Sequence, residues 1–151
     1  MMSKKKFSLV LVFFIYVIFI SDIIANYFYL YWRFWWFDII MHFLGGLWIA
    51  GLMYYLFFLS DYLPKVFKKY SVFILTFSFV LIIGILWEIF EYITKVSVRQ
   101  DNYVLDTYLD LLMDMFGWVL AYFLLSKLKL GKFFIAKKEE TDKIIDTVKS
   151  S

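Results

Sequence analysis

Four apolar stretches, each long enough to cross a bilayer, leave this chain little choice of fold. A spanning helix needs about 20 mostly apolar residues. The sequence supplies them at about 7–25, 35–59, 71–93 and 103–125. The spacers between them are short, at Asn26–Phe34, Ser60–Tyr70 and Thr94–Asn102. Strict two-residue alternation and hairpin turn signals are missing, which argues against a membrane β-barrel. The expected class is therefore all-α: a polytopic membrane bundle of four transmembrane helices. Residues 1–130 would form the transmembrane domain and 131–151 a charged cytoplasmic tail that could lie on anionic lipid. Composition agrees. Hydrophobic residues make up 64% of the 151 positions, more than a soluble domain of this size can hide in its core. No cysteine is present, so a disulfide scaffold is excluded, and a nucleic-acid partner is not expected.

The basic residues give the orientation. Lys4, Lys5 and Lys6 precede the first stretch. Lys65, Lys68 and Lys69 lie between the second and third, and seven lysines follow the fourth. Thus 13 of the 16 basic residues fall on one side, against Arg33, Lys95 and Arg99 on the other. The positive-inside rule places the first side, with both termini, in the cytoplasm. The expected location is the cell (inner, cytoplasmic) membrane. The first stretch has the basic start of a signal peptide, but Ile23-Ile24-Ala25 is a poor cleavage site and the run is long enough to span. Tyr27, Tyr29, Tyr31, Trp32, Trp35 and Trp36 read as an interfacial aromatic belt at the outer edge.

Against this background six carboxylates and the single histidine are out of place. Asp38 and His42 stand four apart in the second span and share a helix face. Glu88 and Glu91 do so in the third. Asp106, Asp110 and Asp114 form an i, i+4, i+8 stripe in the fourth, continued by Gly117. Alternating span direction puts them at matching depths in the outer half of the membrane. Asp38, Glu91 and Asp106 form one expected layer, and His42, Glu88 and Asp110 the next, with Asp114 below. Each central Asp opposes insertion by about 2.5–3.5 kcal/mol, so six amount to something on the order of 15 kcal/mol if they faced lipid. They should instead face one another or a hydrated cavity. With no Lys or Arg inside the spans, they must share protons or bind a cation. Gly46 with Ala50, and Gly117 with Ala121, have the small-xxx-small spacing that lets helices approach closely.

The segments FDIIMHFLGGL, LWEIFEYI and LDTYLDLLMDMFGW resemble the YjdF-like inner-membrane proteins, a family of unknown molecular function. The likeness runs from Phe37 to Gly117. It rests on Asp38, His42, Phe43 and Gly46, then Glu88 and Glu91, then Asp106, Thr107, Asp110 and Gly117. Members often have Gln where this chain has Tyr108. A more distant similarity joins it to the VanZ-like membrane proteins. The resemblance implies a compact helical membrane domain and brings no reaction with it.

Three functional readings follow from the residues. In the first, Asp38, His42, Glu88, Glu91, Asp106, Asp110 and Asp114 hold a divalent cation. Carboxylates with one imidazole suit Mg²⁺, Mn²⁺ or Fe²⁺ better than zinc. Near the outer interface such an ion would meet a lipid head group or lipid-linked phosphate, and a metal-dependent lipid-modifying enzyme is conceivable, with His42, Glu88 and Asp110 as catalytic candidates. In the second reading the cluster is a packing network without chemistry, satisfied by shared protons and hydrogen bonds to Tyr or Trp; Asp38, one turn from His42 and able to orient its imidazole, speaks for function instead. In the third it relays protons or cations; against this, the inner halves at 44–59 and 118–125 hold no acidic, basic or histidine residue. The partners expected are the bilayer itself and, for so small a bundle, a second copy of the chain.

Overall fold

In the computed structural model, which describes residues 4–60, 71–94, 103–127 and 147, the chain is all helical. Helix α1 covers Lys4–Tyr27 and is followed by a single turn, α2, at Leu30–Arg33. Helix α3 runs over Trp35–Tyr54 and continues as a π-helical turn at Tyr55–Leu59. Helix α4 covers Val72–Thr94 and α5 covers Tyr103–Lys127. The four long helices are the four apolar stretches, their ends within three residues of those expected, and each is long and apolar enough to cross a membrane. The lysine-rich segment 61–70, the outer loop with Lys95 and Arg99, and the tail from 128 onward, apart from Thr147, lie outside the described residues.

These helices have little sidedness in hydrophobicity, because lipid as well as protein surrounds them. Large side chains such as Phe13, Ile20, Ile74, Leu86 and Phe123 point away from the bundle, where the hydrocarbon of the bilayer is their solvent. The interior is marked instead by small and polar residues. Helices α3 and α5 form the most extensive pair, and two glycines set their distance. A Cβ on Gly46 would run into the backbone of Asp114, and one on Gly117 into the backbone of Phe43 and Leu47. Ala50 and Ala121, one turn further, are buried with Val80 and Trp118. The small-residue spacing thus serves the contact expected of it. Van der Waals contact between backbones stands in for the hydrophobic drive that lipid removes.

Helix α4 packs on both α3 and α5, whereas α1 leans on α3, α2 and the π turn. At its N-terminal end α1 is held firmly. Phe7 and Leu11 join Tyr54, Phe57, Phe58, Leu59 and Leu125 in one apolar cluster. The Trp48 indole N–H donates to the Leu11 carbonyl at 2.9 Å. A second indole link, from Trp118 to the Thr76 hydroxyl at 3.0 Å, ties α5 to α4. Apolar packing therefore occupies the half of the bundle that holds the N-terminus of α1, and the polar residues have the other half.

Backbone contact at the two glycines predicts a sharp local contrast. Gly46→Ala and Gly117→Ala should each lower stability by about 1–3 kcal/mol, since a helix backbone cannot yield as a side chain does. Gly45→Ala, whose added Cβ would have no neighbour nearer than 4.0 Å, should leave the melting temperature unchanged or slightly raised. Thermal unfolding in detergent, followed by circular dichroism, measures all three.

Candidate functional site

The α3–α5 contact puts the two acidic stripes against the histidine. Asp38, His42, Glu88, Glu91, Asp110 and Asp114 are each no more than 7% exposed. Asp106 is half-buried at the outer edge. His42 is central. Its Nδ1 lies 3.4 Å from Asp114 Oδ2. Its Nε2 lies 3.7 Å from Glu88 Oε1 and 3.9 Å from Asp38 Oδ1. Helices α3, α4 and α5 all contribute, as the spacing of the residues requires.

Three sets of side chains bring ligand-type atoms within 4.8 Å of one another: Asp38, His42 and Glu91; His42, Glu88 and Asp110; Asp38, Asp106 and Asp110. The deeper expected layer is present as such. The outer one is divided, because Asp38 meets Glu91 on one side and Asp106 on the other. The Asp114 backbone packs against Gly46, one turn beyond His42 on α3, and its carboxylate reaches back to the imidazole. Asp114, rather than Asp38, is the carboxylate that faces Nδ1. When Nδ1 carries the proton it donates to Asp114, and the Nε2 lone pair is left free toward Glu88 and Asp38.

Several atoms here are buried without a hydrogen bond among the described residues. They include His42 Nε2, Glu88 Oε1 and Asp110 Oδ1, which belong to the second of the three sets. Leaving such groups unpaired costs about 1–3 kcal/mol each, and more when they are charged. The Glu88 backbone carbonyl, by contrast, accepts from the Tyr103 hydroxyl at 3.3 Å.

A cavity of about 720 Å³ opens beside the cluster. Its floor is α3, and its walls come from α1 and α4. Asp38, His42, Glu91 and Asp114 form part of its lining, together with Asp22, Asn26 and Tyr31. The last three were not separable from the sequence as site residues. Tyr31 in particular reads as one more member of the aromatic belt, yet it is buried while Tyr27, Tyr29, Trp32, Trp35 and Trp36 remain exposed. The cause is local. Tyr29 takes a left-handed conformation (φ 57°) between α1 and α2 and turns the chain, so that the Tyr31 hydroxyl donates to Asp22 Oδ1 at 2.7 Å. The Asn26 amide donates to the same oxygen at 3.2 Å. Burial, reinforced by the hydrogen bond to Asp22, pushes the Tyr31 phenol above its usual range and keeps it a donor.

These features define a small polytopic helical membrane protein with a buried Asp/Glu/His cluster beside a largely apolar cavity. The chain belongs to the family described as predicted membrane protein (DUF2238), whose model matches residues 2–130. No curated protein and no solved structure gives a significant match.

Tyr31→Phe removes one hydrogen bond to a carboxylate and should lower stability by about 1–2 kcal/mol. Tyr29→Phe, on an exposed side chain two residues away, should change it by less than about 0.5 kcal/mol. Paired thermal melts in the same detergent test this difference.

Proposed function

We propose that the cluster is a divalent-cation site for Mg²⁺, Mn²⁺ or Fe²⁺, placed in the outer half of the cytoplasmic membrane where lipid head groups are within reach. The observation that carries this reading is that His42, Glu88 and Asp110, on three helices, bring ligand-type atoms within 4.8 Å of one another, and each has a buried atom (Nε2, Oε1 and Oδ1) with no hydrogen bond among the described residues. Ligand atoms around an ion with bonds of ~2.1 Å lie roughly 3–4 Å apart, and the 3.7 Å between His42 Nε2 and Glu88 Oε1 fits that spacing. A divalent ion would answer the charge of the carboxylates in a region where the described residues bring no Lys or Arg.

Each residue then has a distinct part. His42, Glu88 and Asp110 are the proposed ligands. Asp114 is a positioning residue that holds the imidazole with Nε2 toward the ion, a common arrangement behind metal-bound histidine. Asp38, Glu91 and Asp106 flank the ion on its outer side. When bound, such an ion supplies Lewis-acid polarisation of a phosphoryl oxygen or of water. The finer likeness to YjdF-like and VanZ-like proteins, and the division into residues 1–130 and a cytoplasmic tail, belong to the same proposal. A network that merely packs helices would be expected to pair its buried acceptors, and a transmembrane relay would need polar groups in the apolar inner half.

Metal analysis of the purified protein by plasma mass spectrometry should find about one ion per chain. Glu88→Gln and Asp110→Asn should each abolish it with helical content retained. Asp114→Asn should weaken affinity by about 10–100-fold rather than abolish it. Wild-type protein without metal, with both ligand variants as stable as wild type, would overturn the reading.

The outward placement has its own test. The chain contains no cysteine, so single cysteines report position cleanly. In intact cells Tyr29→Cys should react with an impermeant maleimide, and Ser126→Cys only after permeabilisation.

A further inference from the structure

The cavity is far larger than an ion needs. Its volume of about 720 Å³ belongs to the range of small-molecule pockets, whereas a water occupies only about 30 Å³. Its lining is also graded. Toward the outer end stand Asp22, Asn26, Tyr31, Asp38 and Glu91, and toward the inner end Ile15, Ile18, Ile49, Leu52 and Met53. His42 lies between the two parts, buried, with its Nε2 free of hydrogen bonds among the described residues. A ligand that matched this lining would be polar at one end and hydrocarbon along the rest.

Length and access agree with a membrane amphiphile. On α1 the lining runs from Ile15 to Asn26, a rise of about 16 Å at 1.5 Å per residue. One leaflet of hydrocarbon is about 15 Å deep. The walls α1 and α4 each pack on α3, and no extensive contact joins them to one another. Tyr16 and Phe19 on one wall, and Trp87 and Phe90 on the other, line the cavity while remaining substantially exposed. They mark a mouth that faces the bilayer from the side, so a tail can enter from within a leaflet without crossing water.

We propose that this cavity takes one hydrocarbon tail of a phosphate-bearing lipid, entering between α1 and α4, with the phosphate at the His42 end of the cluster. The inference rests on the cation reading for its head group, because the Asp38 and Asp114 carboxylates that line the cavity would repel a phosphate. The bound ion offsets two of the carboxylate charges and offers a phosphoryl oxygen a Lewis-acidic partner at His42. The tail is held by apolar surface alone.

The test uses full-length protein in phosphatidylcholine vesicles and a phosphatidic acid probe with a mid-chain diazirine. Photo-adducts are expected on Ile15, Ile18, Ile49 and Leu52. Chelation should reduce them at least fivefold, and added Mn²⁺ should restore them. Leu52→Trp and, on the more peripheral helix, Ile18→Trp should reduce them to a similar degree while the metal content stays at the wild-type level. Competition by unlabelled diacyl phosphatidic acid against a polyprenyl monophosphate tells whether the natural tail is acyl or isoprenoid. Bound metal with adducts confined to the lipid-facing Phe13 and Ile74 would overturn the inference and leave the cation site standing. Protein without metal, labelled in the cavity regardless of chelator, would overturn both the cation reading and the phosphate. A two-copy species joined through α1 and α4, with no lipid adduct in the cavity, would identify the occupant as a second chain and overturn the proposal.

Discussion

Backbone-to-backbone contact between α3 and α5 is the constraint on which the remaining architecture depends. Gly46 and Gly117 allow it, since a Cβ on either would meet main chain. Everything polar in the bundle follows from that distance. With the two helices this close, a carboxylate on α5 can reach an imidazole on α3 across a single layer of side chains, and Asp114 meets His42 at 3.4 Å. Helix α4 then closes the third side with Glu88 and Glu91, and the acids turn from the lipid toward one another and His42. In a solvent of hydrocarbon, where apolar side chains gain little by touching one another, close packing of small residues and internal satisfaction of polar ones are the forces left to specify a fold.

The two halves of the bundle answer this in different ways. The half at the N-terminus of α1 is aromatic and aliphatic, pinned by indole hydrogen bonds from Trp48 and Trp118. The other half is polar and less completely filled. Helix α1 belongs to both. Its N-terminal end is fixed by Phe7 and Leu11, and its C-terminal end is tied by Asp22 to Tyr31, with the cavity between α1 and α4 alongside. The volume beside the cluster thus has a structural origin. One wall is anchored at its ends and spanned by side chains that do not reach across.

Much of this was legible in the chain itself. Span number and limits follow from the length of apolar runs, which the bilayer fixes physically. The gathering of Asp38, His42, Glu88 and Asp110 follows from helical spacing combined with alternating direction, two periodic quantities that need no tertiary knowledge. Where the reading departed from the structure, the cause was a quantity with no period. The depth of Asp114 follows from its number, since its backbone meets Gly46, but its reach to His42 Nδ1 does not, because residue number records the Cα and not the side chain. Tyr31 was grouped with an exposed belt because its inward turn depends on one left-handed residue, Tyr29, and no simple pattern of tyrosines announces that conformation. The cavity was not legible at all. It arises from a gap between α1 and α4, and a gap depends on where other helices stop touching.

The order of the elements along the chain has a consequence for how the protein is made. Asp110 and Asp114 are on the last of the four long helices, while His42 is on the second of them. Synthesis proceeds from the N-terminus, so His42 and Asp38 enter the membrane before the helix against which they are to be buried. Until α5 arrives, Gly46 has no backbone to receive and the imidazole has no Asp114. A chain inserted only as far as α4 therefore carries a polar face that α5 has still to cover, and the arrival of α5 removes the feature by which such a chain could be distinguished from one that has α5 in place.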